Sequence, residues 1–294
     1  MEKFTDWRDK GTGIAPFFPP PTSSKEGKVL NSVVYGFFFM IKIILLLPFI
    51  IVNQLTGSKM ALTTILKRLF GWSMDVNVIG VKRKAVTKKE HYPTAGNLYL
   101  VNYQSALDAI TLNLLSQGNP IFLVPDNVHI YKLSLWNFIR YTLDDGSLNI
   151  SKYGEIVANI NELKKSVNFL FIEGTCSNGK STLPFNLNSQ TLLEFLEPDN
   201  NGTVKPQISL QTITLKVNGP LATPLPVSKG TYLMRMLTHH VRYKCKINEP
   251  QPLTKTLDEL RIALNDGDKF KLVSKTLGID SKRKFISEYS KTRR

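Results

Sequence analysis

Apolar residues are concentrated in one long segment near the start of the chain and in shorter runs after it. The segment from Val33 to Ile51 reads VVYGFFFMIKIILLLPFII, and Lys42 is its one charged residue. Its length and composition suit a helix that crosses the apolar core of a bilayer, about 30 Å thick. A bent insertion into one leaflet, with residues 60–72 as a second amphipathic arm, fits as well. The remaining alternative is a core helix of a soluble domain.

Beyond residue 73, short β-rich runs alternate with helical patterns. Strands are predicted at residues 76–81, 97–101, 121–124, 167–172, 210–216 and 241–247. Helices are predicted at residues 105–115, 133–143, 154–165, 257–264 and 270–277. Such alternation is typical of an α/β fold in which helices flank a mixed, mainly parallel sheet.

These patterns divide the chain into three parts. Residues 1–28 form an irregular N-terminal arm rich in Gly and Pro, and residues 29–73 form a helical membrane anchor. Residues 74–294 contain no convincing internal boundary and no repeat. We therefore expect one α/β domain there, ending in basic helices.

The net charge of the chain indicates which kinds of partner it binds. With 38 basic and 23 acidic residues, it carries a formal net charge of +15, which favours partners rich in phosphate. Neither nucleic-acid-binding motifs nor zinc-ligand spacings are present, so we expect anionic lipid or coenzyme A rather than nucleic acid, and no metal. Two cysteines, Cys176 and Cys245, are too few for a disulfide framework and are compatible with a reducing compartment.

The first candidate site follows the strand that ends at residue 101. Ser105 and Asp108 have the spacing of a capping box, in which the Ser105 hydroxyl accepts from the Asp108 amide and the carboxylate reaches back. A purely structural cap explains both residues. The same geometry also aims the carboxylate at residue 103, where a histidine would be oriented to take a proton from an alcohol.

The second candidate site is the loop from Glu173 to Lys180, which follows another predicted strand. Loops at the carboxyl ends of strands bind ligands in open α/β sheets. Backbone amides freed by Gly174 and Gly179 could surround a phosphate together with the side chains of Thr175, Ser177 and Lys180. A simple turn is an equally good interpretation of this composition.

The order of these features resembles a known family. An apolar anchor, Asn102-x-x-Ser105-x-x-Asp108, Glu173-Gly174-Thr175 and Pro224-Leu225-Pro226-Val227 occur in the order found in the PlsC-like acyl-CoA glycerolipid acyltransferases. Three further stretches, at residues 7–16, 245–250 and 267–274, resemble a fungal branch of this family, the oleoyl-CoA-dependent lysophosphatidic acid acyltransferases.

The resemblance implies a 1-acylglycerol-3-phosphate O-acyltransferase. It would move a fatty acyl group from acyl-CoA to lysophosphatidic acid and give phosphatidic acid, with acyl-CoA as co-substrate and without a cofactor. It would work on the endoplasmic reticulum membrane and lipid droplets, with its α/β domain facing the cytosol. Another lysophospholipid or glycerol 3-phosphate remains an alternative acceptor.

The resemblance also assigns roles to single residues. Asp108 would be the orienting carboxylate, while Asn102 and Ser105 would shape the turn. Glu173, Gly174 and Thr175 would help to bind the acceptor phosphate. Pro226 would lie in the motif that borders the acyl site, and Lys152 is the cation available in the weakly matched second motif at residues 146–153.

Two positions depart from the family pattern. Tyr103 stands where the catalytic histidine is expected, and Cys176 stands where arginine commonly follows Glu-Gly-Thr. A phenol titrates near pH 10, and a nearby carboxylate makes the phenolate less favourable still. We therefore interpret Tyr103 as a hydrogen-bond donor to Asp108 or to the substrate.

Three other routes for the proton remain open. Asp108 would act through a water, the acceptor's own phosphate would take the proton, or a distant histidine such as His129 would fold into the site. The departures also leave an alternative function, a non-catalytic acyltransferase-like protein that binds lipid or acts as a scaffold in lipid-droplet or trafficking roles.

Overall fold

The computed structural model describes residues 2–20, 28–145, 149–196, 209–251, 256–265 and 272–292 of the 294-residue chain. The described strands form one mixed sheet in the order β1-β8-β7-β2-β6-β3-β4-β5. Their bounds are β1 (Ser73–Val78), β2 (Leu98–Val101), β3 (Pro120–Asp126), β4 (His129–Leu133), β5 (Glu155–Val157), β6 (Val167–Leu170), β7 (Leu210–Val217) and β8 (Arg242–Ile247).

Pairing at the centre of the sheet is parallel. Strand β2 pairs in parallel with β7 and β6, β6 pairs in parallel with β3, and β1 pairs in parallel with β8. The β7–β8, β3–β4 and β4–β5 pairs are antiparallel. Because β2, β6 and β7 run the same way, the loops that follow them leave the sheet at one edge. The predicted mixed α/β sheet is confirmed.

Helices cover both faces of this sheet. They are α1 (Lys28–Thr56), α2 (Lys59–Phe70), α3 (Lys88–His91), α4 (Asp108–Leu115), α5 (Leu135–Arg140), α6 (Ser189–Leu196), α7 (Lys229–Thr238), α8 (Leu257–Leu264) and α9 (Ile279–Thr292). Residues of α2, α4, α5 and α7 belong to one core cluster, and residues of α6 and α8 belong to a second.

The central strand β2 shows how the two clusters form. All four of its residues are buried. Side chains alternate across a strand, so Tyr99 and Val101 pack in the first cluster, while Leu98 and Leu100 pack in the second. A continuous apolar run is what a strand covered on both faces requires.

Three predicted helices differ from the structure. Residues 154–165 form the short strand β5 and a 3-10 turn at Ile160–Leu163, because the segment pairs with β4 instead of covering the sheet. The helix predicted at 133–143 begins only after β4 ends at Leu133. Of the helix predicted at 270–277, residues 272–277 are not helical, and the first two positions lie outside the described residues.

Helix α1 covers the segment predicted as a membrane anchor and packs against α2. Within the described ranges, no helix has the combination of length and apolar composition that a membrane span needs. The exposed apolar side chains of these helices are Phe37, Phe38, Met40, Ile41, Ile44, Leu45, Leu47, Phe49, Ile51, Val52, Leu55 and Met60, which we call the α1–α2 apolar face.

The N-terminal arm packs against the C-terminal helix α9. Phe17 and Phe285, both fully buried, share a third core cluster, with ring centroids 5.9 Å apart. Asp9 accepts hydrogen bonds from Thr12 and, far along the chain, from the Ser274 amide at 2.8 Å. The N-terminal arm therefore packs against two segments near the other end of the chain, around Ser274 and in α9.

Candidate active site

The two predicted motif loops lie side by side. They follow the adjacent parallel strands β2 and β6, so they leave the same edge of the sheet. The Tyr103 amide donates to Glu173 Oε1 at 3.0 Å, and the Ser177 amide donates to the Tyr103 carbonyl at 2.9 Å. Glu173 Oε2 accepts from the Leu183 amide at 2.8 Å. The Glu173 side chain thus joins the first motif to the segment that follows the third.

The Asp108 carboxylate folds back over the same turn. Its Oδ2 accepts from the amides of Gln104 at 2.8 Å and Ser105 at 2.9 Å, and its Oδ1 accepts from the Tyr243 hydroxyl at 2.7 Å. Successive amides at residues 103, 104 and 105 are therefore bound by two buried carboxylates, Glu173 and Asp108. Bonds of this kind satisfy backbone donors that burial would otherwise leave unpaired.

Half of the predicted capping box is present. The carboxylate reaches back as predicted, but α4 begins at Asp108. The Ser105 hydroxyl does not cap the Asp108 amide. It donates to the Leu221 carbonyl at 2.8 Å and lies 2.7 Å from the Tyr232 hydroxyl. Ser105 therefore ties the turn to the segment that precedes α7.

The Tyr103 hydroxyl is not hydrogen-bonded to Asp108, so the predicted hydrogen bond between these two side chains is wrong. The Tyr103 ring lies between Phe138 and Phe171, at centroid distances of 5.0 and 4.9 Å, and its hydroxyl is hydrogen-bonded to Thr142. The side chain is fully buried. Burial raises the pKa of Tyr103 well above its ordinary value, so this phenol stays protonated near neutral pH.

Burial also changes the acidity of both carboxyl groups. It raises the pKa of Asp108 to about 7, against the lowering effect of the Gln104, Tyr243 and Ser105 hydrogen bonds. For Glu173 it raises the pKa to about 8, against the hydrogen bonds from the Leu183 and Tyr103 amides. Each carboxyl group is fully buried, so the cost of desolvating the charged form dominates.

The side chains of Asn102 and Gln104, on either side of Tyr103, point away from the core that encloses the Tyr103 ring. The Asn102 side chain makes two hydrogen bonds with the backbone of Leu215, at 2.9 and 2.7 Å. Gln104 Oε1 accepts from the Val217 amide at 3.3 Å. Gly179 has a φ of +75°, and a Cβ there would lie 2.9 Å from Gln104 Oε1, so the close approach requires glycine. Sequence reasoning missed Gln104, whose amide side chain carries no strong local signal.

Most of the predicted phosphate loop is closed. Gly174, Thr175 and Ser177 are buried with Glu173, and the Ser177 hydroxyl donates to the Ser181 carbonyl at 3.2 Å. Both oxygens of Glu173 are used by backbone amides. In this conformation these four residues are enclosed, and their expected contact with the acceptor phosphate stays a prediction. Lys180 is the predicted binding residue of the loop that is exposed.

A cation reaches the Glu-Gly-Thr turn from the C-terminal helix. Lys282 of α9 is 1% exposed, and its ammonium donates to Thr175 Oγ1 at 2.7 Å and to the Cys176 carbonyl at 2.8 Å. The sequence places Lys282 in the run Lys282-Arg283-Lys284, which resembles a solvated basic cluster. Helical spacing could have indicated that Lys282 is buried, because residues three apart lie on the same face of a helix and Phe285 is buried.

The remaining predicted residues lie away from this turn. Lys152 is exposed in the 3-10 turn Ile150–Lys152, and residues 146–148 of the weak second motif lie outside the described residues. Pro226 is exposed, although the preceding Thr223 donates its amide to the Gln104 carbonyl at 2.9 Å. His129 is exposed at the start of β4. The structure does not bring these three residues together with Asp108.

A cleft of about 710 Å³ reaches the motif turn from the face of the sheet that α8 covers. Its wall includes Asn102, Gln104, Gly179 and Lys180, but neither Tyr103, Asp108 nor Glu173. The turn thus separates the two buried carboxyl groups from the open cleft.

We expect removal of the Lys282 ammonium to destabilise the fold. Lys282→Met leaves the Thr175 hydroxyl and the Cys176 carbonyl without this donor, which costs about 1–3 kcal/mol. Urea denaturation measures the change in the free energy of unfolding. Lys284→Met, at an exposed position of α9, is the matched control and should change stability by less than about 0.5 kcal/mol. Equal effects of the two variants would contradict the assigned contacts.

Stability should fall as the pH rises from about 4 to about 8. The pKa values of Asp108 and Glu173 are raised on folding, so the unfolded chain binds fewer protons than the folded chain in this window. Asp108→Asn keeps an acceptor for the turn amides and removes the titration, so it should reduce the slope measured by urea denaturation at several pH values. Glu162→Gln, on the surface, is the control. An unchanged slope in Asp108→Asn would refute this assignment.

Comparison with known proteins establishes the family. No protein-family model matches the chain. Over 295 residues, it is 46% identical to lysophosphatidic acid:oleoyl-CoA acyltransferase 1 of Saccharomyces cerevisiae, and the match covers 98% of this chain and 97% of the yeast protein. The crystal structure of the 1-acyl-sn-glycerophosphate acyltransferase PlsC from Thermotoga maritima matches 81% of this chain and 93% of that chain, with 16% identity and a TM-score of 0.36. Because the identity to the yeast protein extends over nearly the whole of both chains, this chain belongs to the glycerolipid acyltransferase family that its ordered motifs predict.

Proposed function

We propose that the protein transfers a fatty acyl group from acyl-CoA to the free hydroxyl of lysophosphatidic acid, giving phosphatidic acid. The observation that carries this proposal is the 46% identity, over nearly the full length, to a yeast protein named for this activity. The geometry agrees with it, because the first and third motif loops lie side by side at the carboxyl edge of the sheet.

In this proposal the buried carboxyl groups hold the turn in place instead of accepting the substrate proton. Every oxygen of Asp108 and Glu173 accepts a hydrogen bond within the protein, and both side chains are buried. Tyr103 is likewise enclosed by Phe138 and Phe171. The rate enhancement then comes from holding thioester and alcohol together, an effect worth several kcal/mol.

Of the three routes for the proton, we favour the acceptor's own phosphate. Its second pKa is near 6 by analogy with phosphoserine, so it is a competent base at neutral pH. The hydroxyl oxygen attacks the thioester carbonyl, the C–O bond forms, the C–S bond breaks and the coenzyme A thiolate leaves. The phosphate takes the hydroxyl proton, and the thiolate recovers a proton from it or from water.

The α1–α2 apolar face would hold the protein on a membrane surface. Twelve large apolar side chains are exposed on these two helices, and exposed apolar patches mark sites of contact with membranes or other proteins. Apolar helices lying in the interface, helped by basic charge, bind anionic membranes without crossing them. We propose the endoplasmic reticulum membrane and the lipid droplet as locations, with the α/β domain facing the cytosol.

The alternative is a non-catalytic relative that binds lipid or acts as a scaffold. Two observations favour it: a tyrosine occupies the position of the family's histidine, and neither Asp108 nor Glu173 lines the open cleft. Under this alternative the same fold keeps its lipid contacts without turnover.

Purified protein should transfer acyl groups from oleoyl-CoA to lysophosphatidic acid. Asp108→Ala removes the acceptor for two turn amides and should reduce turnover by at least about 100-fold through misplacement of the turn. Asp108→Asn keeps that acceptor and should retain most of the activity, which a general base would not allow. Product formation from radiolabelled oleoyl-CoA measures both variants.

Absence of turnover with several acyl-CoAs and lysophospholipids would overturn the enzymatic proposal. Complete loss of activity in folded Asp108→Asn would instead assign the proton to Asp108. A large gain in Tyr103→His from an inactive starting protein would favour a decayed enzyme.

Membrane binding should depend on the α1–α2 apolar face. Phe37 and Leu45 are 64% and 70% exposed, and each buried apolar side chain of this size contributes about 1.5–3 kcal/mol. Phe37→Ser/Leu45→Ser should therefore lower co-flotation with anionic vesicles by at least about tenfold. Val128→Ser, at a 65% exposed position on the β3–β4 turn, is the control. Equal flotation of all three proteins would refute the assigned surface.

A further inference from the structure

We propose that the cleft between the β7–β8 face and the third motif loop binds the phosphorylated adenosine end of coenzyme A. This assignment rests on the proposed acyl transfer, and it adds lysines of β7 and β8 to Lys180 of the third motif loop. We call it the lysine cleft, after the lysines on its wall: Lys180, Lys216, Lys244 and Lys246.

Strand register concentrates these charges. In the antiparallel β7–β8 pair, Lys216 lies directly opposite Lys244, and Thr214 lies opposite Lys246. Residues 214 and 216 share the face of β7 that carries Leu210, and this is the face covered by α8. Helix α8 reaches as far as Thr214, whose hydroxyl donates to the Leu264 carbonyl at 3.1 Å. Beyond that point the sheet face is open, and Lys216 and Lys244 are exposed.

The two facing lysines, Lys216 and Lys244, repel each other. Like charges directly opposite each other destabilise antiparallel strands. Asp75 lines the same cleft and is the cross-strand neighbour of Lys244 on β1, but its carboxylate is paired with Arg83. Among the residues that the structure describes, Lys180, Lys216 and Lys244 form no ion pair. A phosphate bound between Lys216 and Lys244 would offset this repulsion.

The lysine cleft leads to the motif turn. Its wall includes Lys180 of the third motif loop and also Asn102 and Gln104, which flank Tyr103. Asn102 is bonded to Leu215 and Gln104 to Val217, the two neighbours of Lys216 on β7. Asn77, Thr182 and Asn265 add polar groups to the same wall. A phosphorylated nucleotide at the lysines would therefore direct its pantetheine arm, which carries the thioester, toward the turn.

Several phosphates suit this wall better than one. The three exposed lysines are spread over two strands and a loop, so a ligand with more than one phosphate can meet Lys180 as well as the cross-strand pair Lys216 and Lys244. Coenzyme A carries a phosphate on the ribose and a diphosphate that joins it to pantetheine. The headgroup of lysophosphatidic acid has the same chemistry with one phosphate, so the experiment must distinguish the two.

Binding of coenzyme A itself, measured by calorimetry on the detergent-solubilised full-length protein, tests the assignment without turnover. Lys216→Ala/Lys244→Ala should weaken binding of coenzyme A and of adenosine 3′,5′-bisphosphate by about tenfold, since each exposed charge contact contributes up to about 1 kcal/mol. Binding of glycerol 3-phosphate should stay unchanged. Lys84→Ala/Lys89→Ala removes the same charge from exposed positions outside the lysine cleft and is the matched control.

The outcomes separate this assignment from the proposed function. A selective loss of nucleotide binding supports the lysine cleft, even if no acyl transfer is detected. A selective loss of glycerol 3-phosphate binding assigns the lysine cleft to the acceptor phosphate and overturns our proposal. Equal losses in both double variants, or none in either, also overturn it, and acyl transfer by the wild-type protein would then stand without this subsite.

Discussion

The structure depends on a turn whose consecutive backbone amides are held by two buried carboxyl groups. Glu173 binds the amide of Tyr103, and Asp108 binds those of Gln104 and Ser105. Each carboxyl group also binds a group from another part of the chain, the Leu183 amide for Glu173 and the Tyr243 hydroxyl for Asp108. Desolvation makes such groups costly, so they are retained only where hydrogen bonds satisfy them. The conformation of the turn is therefore coupled to the sheet and to both loops beside it.

This coupling extends to both ends of the chain. Tyr243, which donates to Asp108, stacks on Trp72 at a centroid distance of 5.8 Å, and Trp72 belongs to the segment directly after α2. On the other side, Lys282 of α9 holds the third motif loop. The Asn178 side chain of that loop donates to the carbonyls of Ala15 and Phe18 in the N-terminal arm. The segment after α2, the N-terminal arm and α9 thus all contact residues that hold this one turn.

Alternation around Tyr103 divides the site into two sides. Tyr103 points into the apolar core with Phe138 and Phe171, while Asn102 and Gln104 line the lysine cleft. A histidine at position 103 would enter the same enclosed space. In the proposed acyl transfer, the turn would position the substrates and the lysine cleft would supply positive charge.

The sequence by itself determined the sheet class, six of the strands and the family, because apolar runs between turns and ordered motifs are local signals. It also predicted that Asp108 folds back on its turn, since three residues suffice for that contact. Tertiary structure decided the rest. Tyr243, Thr142 and Lys282 are brought to the motifs from far along the chain, and the strand at 155–157 exists because β4 offers it a pairing edge. Burial, which raises the pKa of Asp108 and closes the predicted phosphate loop, comes from the packing of all these elements together, and no local pattern contains that information.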